Sequence, residues 1–230
     1  MVLKGLQKTT LLDYPGKLAC TVFTGGCNFR CPFCHNAALV ERPSSVEDVS
    51  IEAFFKYISK RSSLLDGVCI TGGEPLLNPD IEDFIKRIRE LGLLVKLDTN
   101  GSYPDRLEAL LDKGLVDYVA MDIKNSPEKY AKTVGLVDYD LSPVLRSIDI
   151  IMKKANDYEF RTTVVRELHD ESDITQIATM LSGTKAYYLQ KYVDSGDILC
   201  EGYSAYDDAQ MIKLHTICRE ILPVTILRGV

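Results

Sequence analysis

Short apolar or β-branched runs recur along the chain, at Leu18–Thr24, Val68–Thr71, Leu94–Thr99, Tyr118–Ile123, Glu159–Val165 and Ala186–Gln190. Between them lie segments whose apolar positions return every three or four residues, the pattern of a helix with one buried face. The clearest is Asp80–Leu91, which sets Ile81, Phe84, Ile85, Ile88 and Leu91 on one side. Pro79 suits its first turn and Gly92 its C-terminal stop. Pro104–Lys113 carries Leu107, Leu110 and Leu111 before Gly114, and Ser142 and Pro143 open a helix with Leu145, Ile148, Ile151 and Met152. Ser172–Leu181 ends at Gly183, Ile51–Lys60 follows Ser50 as a cap, and a last helix over about Asp208–Ile221 stops at Pro223.

Six strand–helix repeats in series predict an α/β fold with a parallel sheet. The strands are apolar throughout, as strands covered by helices should be. A complete eightfold barrel takes ~250 residues. After an N-terminal lead-in of residues 1–17, about six units fit a core of roughly 18–200, leaving a C-terminal helix and tail over 201–230. The expectation is a partial (β/α)6 TIM-like barrel in a single domain, 1–230. A doubly wound sheet is the alternative, because strand order is not readable from one chain. The Pro43–Val49 loop is the single internal break, with no low-complexity tract.

Composition narrows the class. Of 230 residues 46% are apolar and 26% charged, which excludes wholesale disorder. No apolar stretch approaches the ~18 residues of a membrane span. Met1–Gly5 lacks the basic region and apolar run of a secretory signal, so a cytoplasmic location and no membrane partner are expected. A net charge of −6 without a basic block argues against nucleic-acid binding.

Cysteine changes the picture most. There are seven, and an intracellular chain keeps thiols reduced, so a disulfide framework is not expected. Three fall within eight residues, in Gly25-Gly26-Cys27-Asn28-Phe29-Arg30-Cys31-Pro32-Phe33-Cys34-His35-Asn36, directly after the first predicted strand. Three thiolates this close reach a common centre only if the loop wraps it, which Gly25 and Gly26 allow and Pro32 stiffens. Structural zinc wants four ligands, and His35 as the fourth directly follows Cys34. A four-iron cluster has four corners usually held by cysteine, and three thiolates leave one iron open. Cluster, zinc and unrelated buried thiols are the three readings. Cys20, Cys69 and Cys218 read as small buried hydrophobes, whereas Cys200 lies near Gly202 in a loop. His169 and His215 read as surface residues.

The C-x3-C-x2-C spacing, with aromatic Phe33 before the last cysteine, resembles the signature of radical S-adenosylmethionine (SAM) enzymes. The resemblance implies a 4Fe-4S cluster on Cys27, Cys31 and Cys34, with SAM chelating the fourth iron and cleaved to methionine and a 5′-deoxyadenosyl radical. Thr71-Gly72-Gly73-Glu74-Pro75, starting its glycine pair 38 residues after Cys34, resembles the family motif that holds the SAM amino group. Taken alone it reads as a strand-to-helix turn. Asp98-Thr99-Asn100-Gly101 and Asp122-Ile123-Lys124 end two strands and resemble segments of glycyl-radical-enzyme activases. They imply Asp98, Asp122 and Lys124 at the SAM carboxylate or ribose, and Asp98, Thr99 and Asp122 around a monovalent cation. On their own they read as a turn and a solvated charge pair. Arg161 reads equally as pointing into the barrel or as forming a surface ion pair. Val193 stands where pyruvate formate-lyase activases carry a ribose-contacting His, so Gln190 is taken as the substitute. Phe33 and His35 complete the expected cofactor-binding set.

The run Thr10–Phe23 leading into the cysteine loop resembles the longer form of anaerobic ribonucleoside-triphosphate reductase activating proteins, with Asp13–Lys17 expected near the partner entrance. That implies hydrogen abstraction from a glycine of a partner enzyme, an anaerobic ribonucleotide reductase, with flavodoxin as the usual electron donor. The alternatives are a small-molecule radical enzyme such as 7-carboxy-7-deazaguanine synthase, and a non-catalytic zinc-binding domain. No second cysteine cluster stands between Cys34 and Gly72, which excludes an inserted ferredoxin-like domain.

Overall fold

The alternation of runs and periodic segments becomes an alternation of strands and helices at nearly the predicted bounds. In the computed structural model, which describes residues 1–41, 43–194, 196 and 198–230, the strands are β1 (Leu3–Thr10), β2 (Ala19–Thr24), β3 (Gly67–Gly72), β4 (Leu94–Thr99), β5 (Tyr118–Asp122), β6 (Asp157–Val164), β7 (Tyr187–Lys191) and β8 (Thr225–Arg228). The helices are α1 (Ala37–Glu41), α2 (Ile51–Ser59), α3 (Ile81–Arg89), α4 (Pro104–Asp112), α5 (Tyr130–Thr133), α6 (Ser142–Lys154), α7 (Glu171–Met180) and α8 (Asp208–Ile221). Local chemistry fixes several starts. The Ser50 side chain accepts from the Ala53 amide at α2, and Asp170 and Asp207 form capping boxes at α7 and α8. Each such cap contributes about 1 kcal/mol.

All eight strands form one sheet in chain order, β1 to β8. Only β1–β2 is antiparallel; every later pair is parallel. A doubly wound sheet changes direction at a switch point. Strictly sequential order is instead that of a barrel, and among the described residues no pairing joins β1 to β8, so the barrel is partial. Six strand–helix units run from β2 to β7, as the repeat count predicted. Two edge strands were not predicted. β1 occupies the supposed lead-in; its Lys4, Gln7 and Lys8 broke the apolar pattern because only one face of this edge strand is covered. β8 is four residues long, too short to register as a run.

Alternation along each strand separates two environments. Val68, Ile70, Val95, Leu97, Val119, Met121 and Phe160 are fully buried in the shell beneath the helices, with Phe54, Phe84, Ile85 and Ile88 opposite them. The intervening residues line a polar interior. Lys96 pairs with Asp98, Arg161 lies against Asp98, Asp122 and Glu159, and Arg228 meets Glu159 at 3.0 Å.

The loop between β1 and β2 closes the bottom of this interior. Tyr14 is buried with its ring 5.9 Å from that of Tyr118, the first residue of β5. The Thr21 hydroxyl donates to Asp13, and the Leu18 amide donates to Asp66 at 2.8 Å. Asp13–Lys17 therefore lies at the N-terminal ends of the strands, opposite the cysteine loop, and not at an entrance beside it. His169 is likewise not a surface residue. It is buried, with Nε2 2.9 Å from the Lys124 carbonyl and Nδ1 against Val165, and burial lowers its pKa. His215 is half-buried and bonds the Thr225 carbonyl at 3.0 Å. Cys20, Cys69 and Cys218 are fully buried and Cys200 is exposed.

Candidate active site

A cavity of about 260 Å³ sits at the C-terminal ends of the parallel strands, where barrels of this kind assemble chemistry from loops. β2 delivers the cysteine loop, β3 delivers Thr71, Gly72 and Gly73, and β4 delivers Asp98, Thr99 and Asn100. Asp122 and Lys124 come from β5, Arg161 and Thr163 from β6, and Gln190 from β7. Cys27, Cys31, Phe33, Cys34 and His35 form one wall. Every predicted site residue borders this cavity except Glu74.

The cysteine loop is held from several sides. The amide of Gly26 donates to Leu39 O at 2.9 Å, and Arg30 N donates to Val134 O at 2.8 Å. Asn36 Nδ2 donates to Gly72 O at 2.9 Å, so one glycine carbonyl is already engaged by the loop it faces. Gly73 packs so closely that a Cβ there would overlap the Gly26 carbonyl. His35 stacks on Tyr192 at 5.5 Å and Phe33 meets the same ring edge-on at 6.3 Å. Cys200 N donates to Pro32 O at 2.9 Å, laying the segment after β7 against the loop.

Glu74 departs from expectation. Its side chain is wholly buried and its oxygens are taken by Leu76 N at 3.0 Å, Thr99 Oγ1 at 2.9 Å and Asn100 N at 2.7 Å. Burial pushes its pKa up to about 7 against those three donors. The carboxylate thus ties the end of β4 to the turn after β3 and does not face the cavity. What this motif presents to the cavity is the backbone of Gly72 and Gly73.

The floor is a charge network. Asp122 accepts from Arg161 Nε and Lys124 Nζ, each at 2.9 Å, and Arg161 also lies 3.4 Å from Asp98. Burial opposes ionisation of Asp122, but the two cations hold its pKa well below the carboxylate range. Burial also opposes charge on Lys124, and Asp122 outweighs it, so Lys124 stays cationic. Of the two readings of Arg161, the inward one holds. Asp98, Asp122 and Thr99 are therefore not a free oxygen cage. Lys96 and Arg161 face Asp98, and the Thr99 hydroxyl donates to Glu74.

Burial pushes the Cys27 thiol up to about 11 and the Cys31 thiol up to about 12. They ionise only with a metal to hold them, since coordination removes the thiol proton. Among the described residues no three His, Cys, Asp or Glu groups form a ready chelate for a single ion. Yet all three cysteines border one cavity. Soft sulfur donors spread around a shared space fit the corners of a polynuclear iron–sulfur centre.

Sequence reasoning missed Asn36, Thr163 and Asn100 as lining residues. Asn100 precedes a glycine and read as a turn; only its position at the end of a strand among the other rim residues marked it.

The profile of the Radical SAM superfamily matches residues 21–181. A provisionally named glycyl-radical enzyme activating enzyme of Methanocaldococcus jannaschii is 32% identical over 214 residues, covering 90% of this chain and 83% of the other. Among solved structures, a domain of pyruvate-formate lyase-activating enzyme from Bacteroides vulgatus aligns at TM-score 0.58 and 19% identity, over 71% of this chain and 99% of that one. Streptococcus suis SuiB bound to precursor peptide SuiA aligns at TM-score 0.69 and 14% identity, over 90% of this chain and 47% of that one.

Proposed function

Because this chain belongs to the radical SAM superfamily, we propose that it activates a glycyl-radical enzyme, with an anaerobic ribonucleotide reductase as its partner and flavodoxin as electron donor. What supports the activase reading is that the Methanocaldococcus relative is matched over 83% of its length, so the likeness extends well beyond the cysteine loop. The Thr10–Phe23 stretch supports the choice of partner.

Cys27, Cys31 and Cys34 would hold a 4Fe-4S cluster at which SAM would bind. The cluster would supply the electron for reductive cleavage of SAM, the chemistry that would drive hydrogen abstraction from a partner glycine. The protein's own residues bind and orient. Lys124 and Arg161 present positive charge to the SAM carboxylate, and the Gly72–Gly73 backbone faces its ammonium group. Phe33 and His35, braced by Tyr192, wall off the adenine side, and Gln190 offers an amide to the ribose or adenine. The barrel edge left open between β1 and β8 admits a loop of a protein substrate.

Incubating the reduced, reconstituted protein with SAM and the candidate reductase is expected to give a glycyl doublet by electron paramagnetic resonance (EPR). No doublet rules out that partner. Turnover of a purified small molecule without any partner points to the 7-carboxy-7-deazaguanine synthase alternative.

The expected monovalent cation has no vacant cage here, because Arg161 already supplies positive charge between Asp98 and Asp122. SAM affinity, measured by calorimetry, is therefore expected to change less than about twofold between choline buffer and buffers containing sodium or potassium. A tenfold tightening, about 1.4 kcal/mol, restores the cation.

A further inference from the structure

The Cys27 sulfur is approached by two N–H groups, the backbone amide of Phe29 at 3.4 Å and the side-chain Nδ2 of Asn100 at 3.8 Å. The first belongs to the loop itself. The second crosses from the end of β4, and the surrounding bonds leave it one orientation. Asn100 Oδ1 accepts from the backbone amide of Ser102 at 3.0 Å and from the Ser102 hydroxyl. A backbone N–H can only donate, so the carboxamide oxygen is on that side and the NH2 faces the cysteine loop. There it donates to Asn28 Oδ1 at 3.0 Å and reaches the sulfur. Asn28 Nδ2 closes the ring by donating to Ser102 Oγ at 2.9 Å.

The backbone beneath this ring is equally fixed. Asn100 N is held by Glu74, Ser147 Oγ donates to Gly101 O at 2.7 Å, and Gly101 at φ +77° packs where a Cβ would overlap Met121. Asn100 is buried, so its amide donates to fixed protein acceptors rather than to bulk water.

We propose that Asn100 is a positioning residue that tunes the reduction potential of the metal cluster through Cys27. A hydrogen bond to a ligating sulfur draws electron density from it and favours the reduced, more negative form. The low dielectric of the buried site strengthens the effect. Phe29 N supplies a fixed background donor, whereas Asn100 adds one through a side chain that substitution can remove. The buried Glu74 thereby acquires a role: it anchors the backbone that aims this amide.

This inference rests on Cys27 holding a cluster corner. The test is an EPR-monitored redox titration of the full-length reconstituted protein without SAM. Asn100→Leu is expected to make the cluster about tenfold harder to reduce, ~59 mV for a one-electron couple. Asn28→Ala, which frees the amide without deleting it, should shift the potential the same way by less. Both should retain wild-type iron content. In protein labelled with ¹⁵N-asparagine, pulsed EPR of the reduced cluster should show a nitrogen coupling that Asn100→Leu removes. If Asn100→Leu fails to assemble, Asn28→Ala and the labelled wild type still decide. An unshifted potential with intact cluster, or no ¹⁵N coupling, overturns the inference alone. Failure of the wild type to assemble any iron–sulfur cluster overturns the underlying reading.

Discussion

Cys31→Ala is expected to abolish SAM cleavage, with no 5′-deoxyadenosine detected by chromatography after reduction with dithionite. Cys31 is buried in the wall of the cavity, and burial keeps its thiol protonated until a metal takes it. Alanine leaves two cysteines on the loop, and among the described residues no other cysteine borders the cavity. Phe33 and His35, which border the same cavity, both pack on the Tyr192 ring. Cys27→Ala and Cys34→Ala should behave alike. Retained cleavage in any of the three counts against its assignment as a ligand. Cys218→Ala, far from the loop and fully buried, is the matching control. It should keep cleavage and lose stability by about 1–2 kcal/mol from the small cavity. Iron and sulfide analysis of the wild type, prepared without oxygen, separates the cluster from the zinc alternative. Colourless protein with one zinc defeats the cluster reading.

The second large effect is expected from adding one methyl group. Gly73→Ala places a Cβ onto the carbonyl of Gly26, a backbone atom next to Cys27 that has no rotamer in which to retreat. Either strand β3 or the cysteine loop must move. The contact also carries hydrogen bonds, from Gly73 N to Thr24 O at 3.0 Å and from Glu74 N to Gly26 O at 2.8 Å. A loss of roughly 3 kcal/mol or more is expected in denaturant unfolding of the metal-free protein, with failure to assemble the cluster. Gly92→Ala separates this clash from a general cost of replacing glycine. Gly92 has φ +76° and open space around it, so its alanine variant should lose only about 1–2 kcal/mol and bind iron normally. Equal losses in the two variants are inconsistent with the close approach.

The strands and helices were legible wherever burial imposed a period. Val95 and Leu97 point to helices while Lys96 and Asp98 point inward, so β4 still read as a strand; the helix from Asp80 was bounded by Pro79 and Gly92, and the end of the helix from Asp208 by Pro223. The edge strands were not legible, because an edge strand buries too little to show a pattern. The cysteine loop was legible by spacing alone. Arg161 was not, since one arginine on a strand looks the same whether it meets solvent or two aspartates from neighbouring strands. Glu74 shows the converse: the motif was found, but a sequence does not say that Thr99 and Asn100 from the end of β4 join Leu76 N from its own turn in donating to that carboxylate. His169 read as a surface residue for the same reason, its partners being backbone atoms of Lys124 and Val165.

The chain-order sheet also dictates how the molecule is born. Every strand after β1 pairs with the one made immediately before it, so none of them waits for a later segment before it can be added. The sheet can therefore grow from its N-terminal hairpin as the polypeptide leaves the ribosome, each new strand finding its template in place. The cysteine loop, the paired glycines, Asp98, Asn100 and Lys124 all precede residue 125. Arg161 and Gln190 follow, so the part of the site that gathers sulfur is synthesised first and the cationic floor is completed under it afterwards.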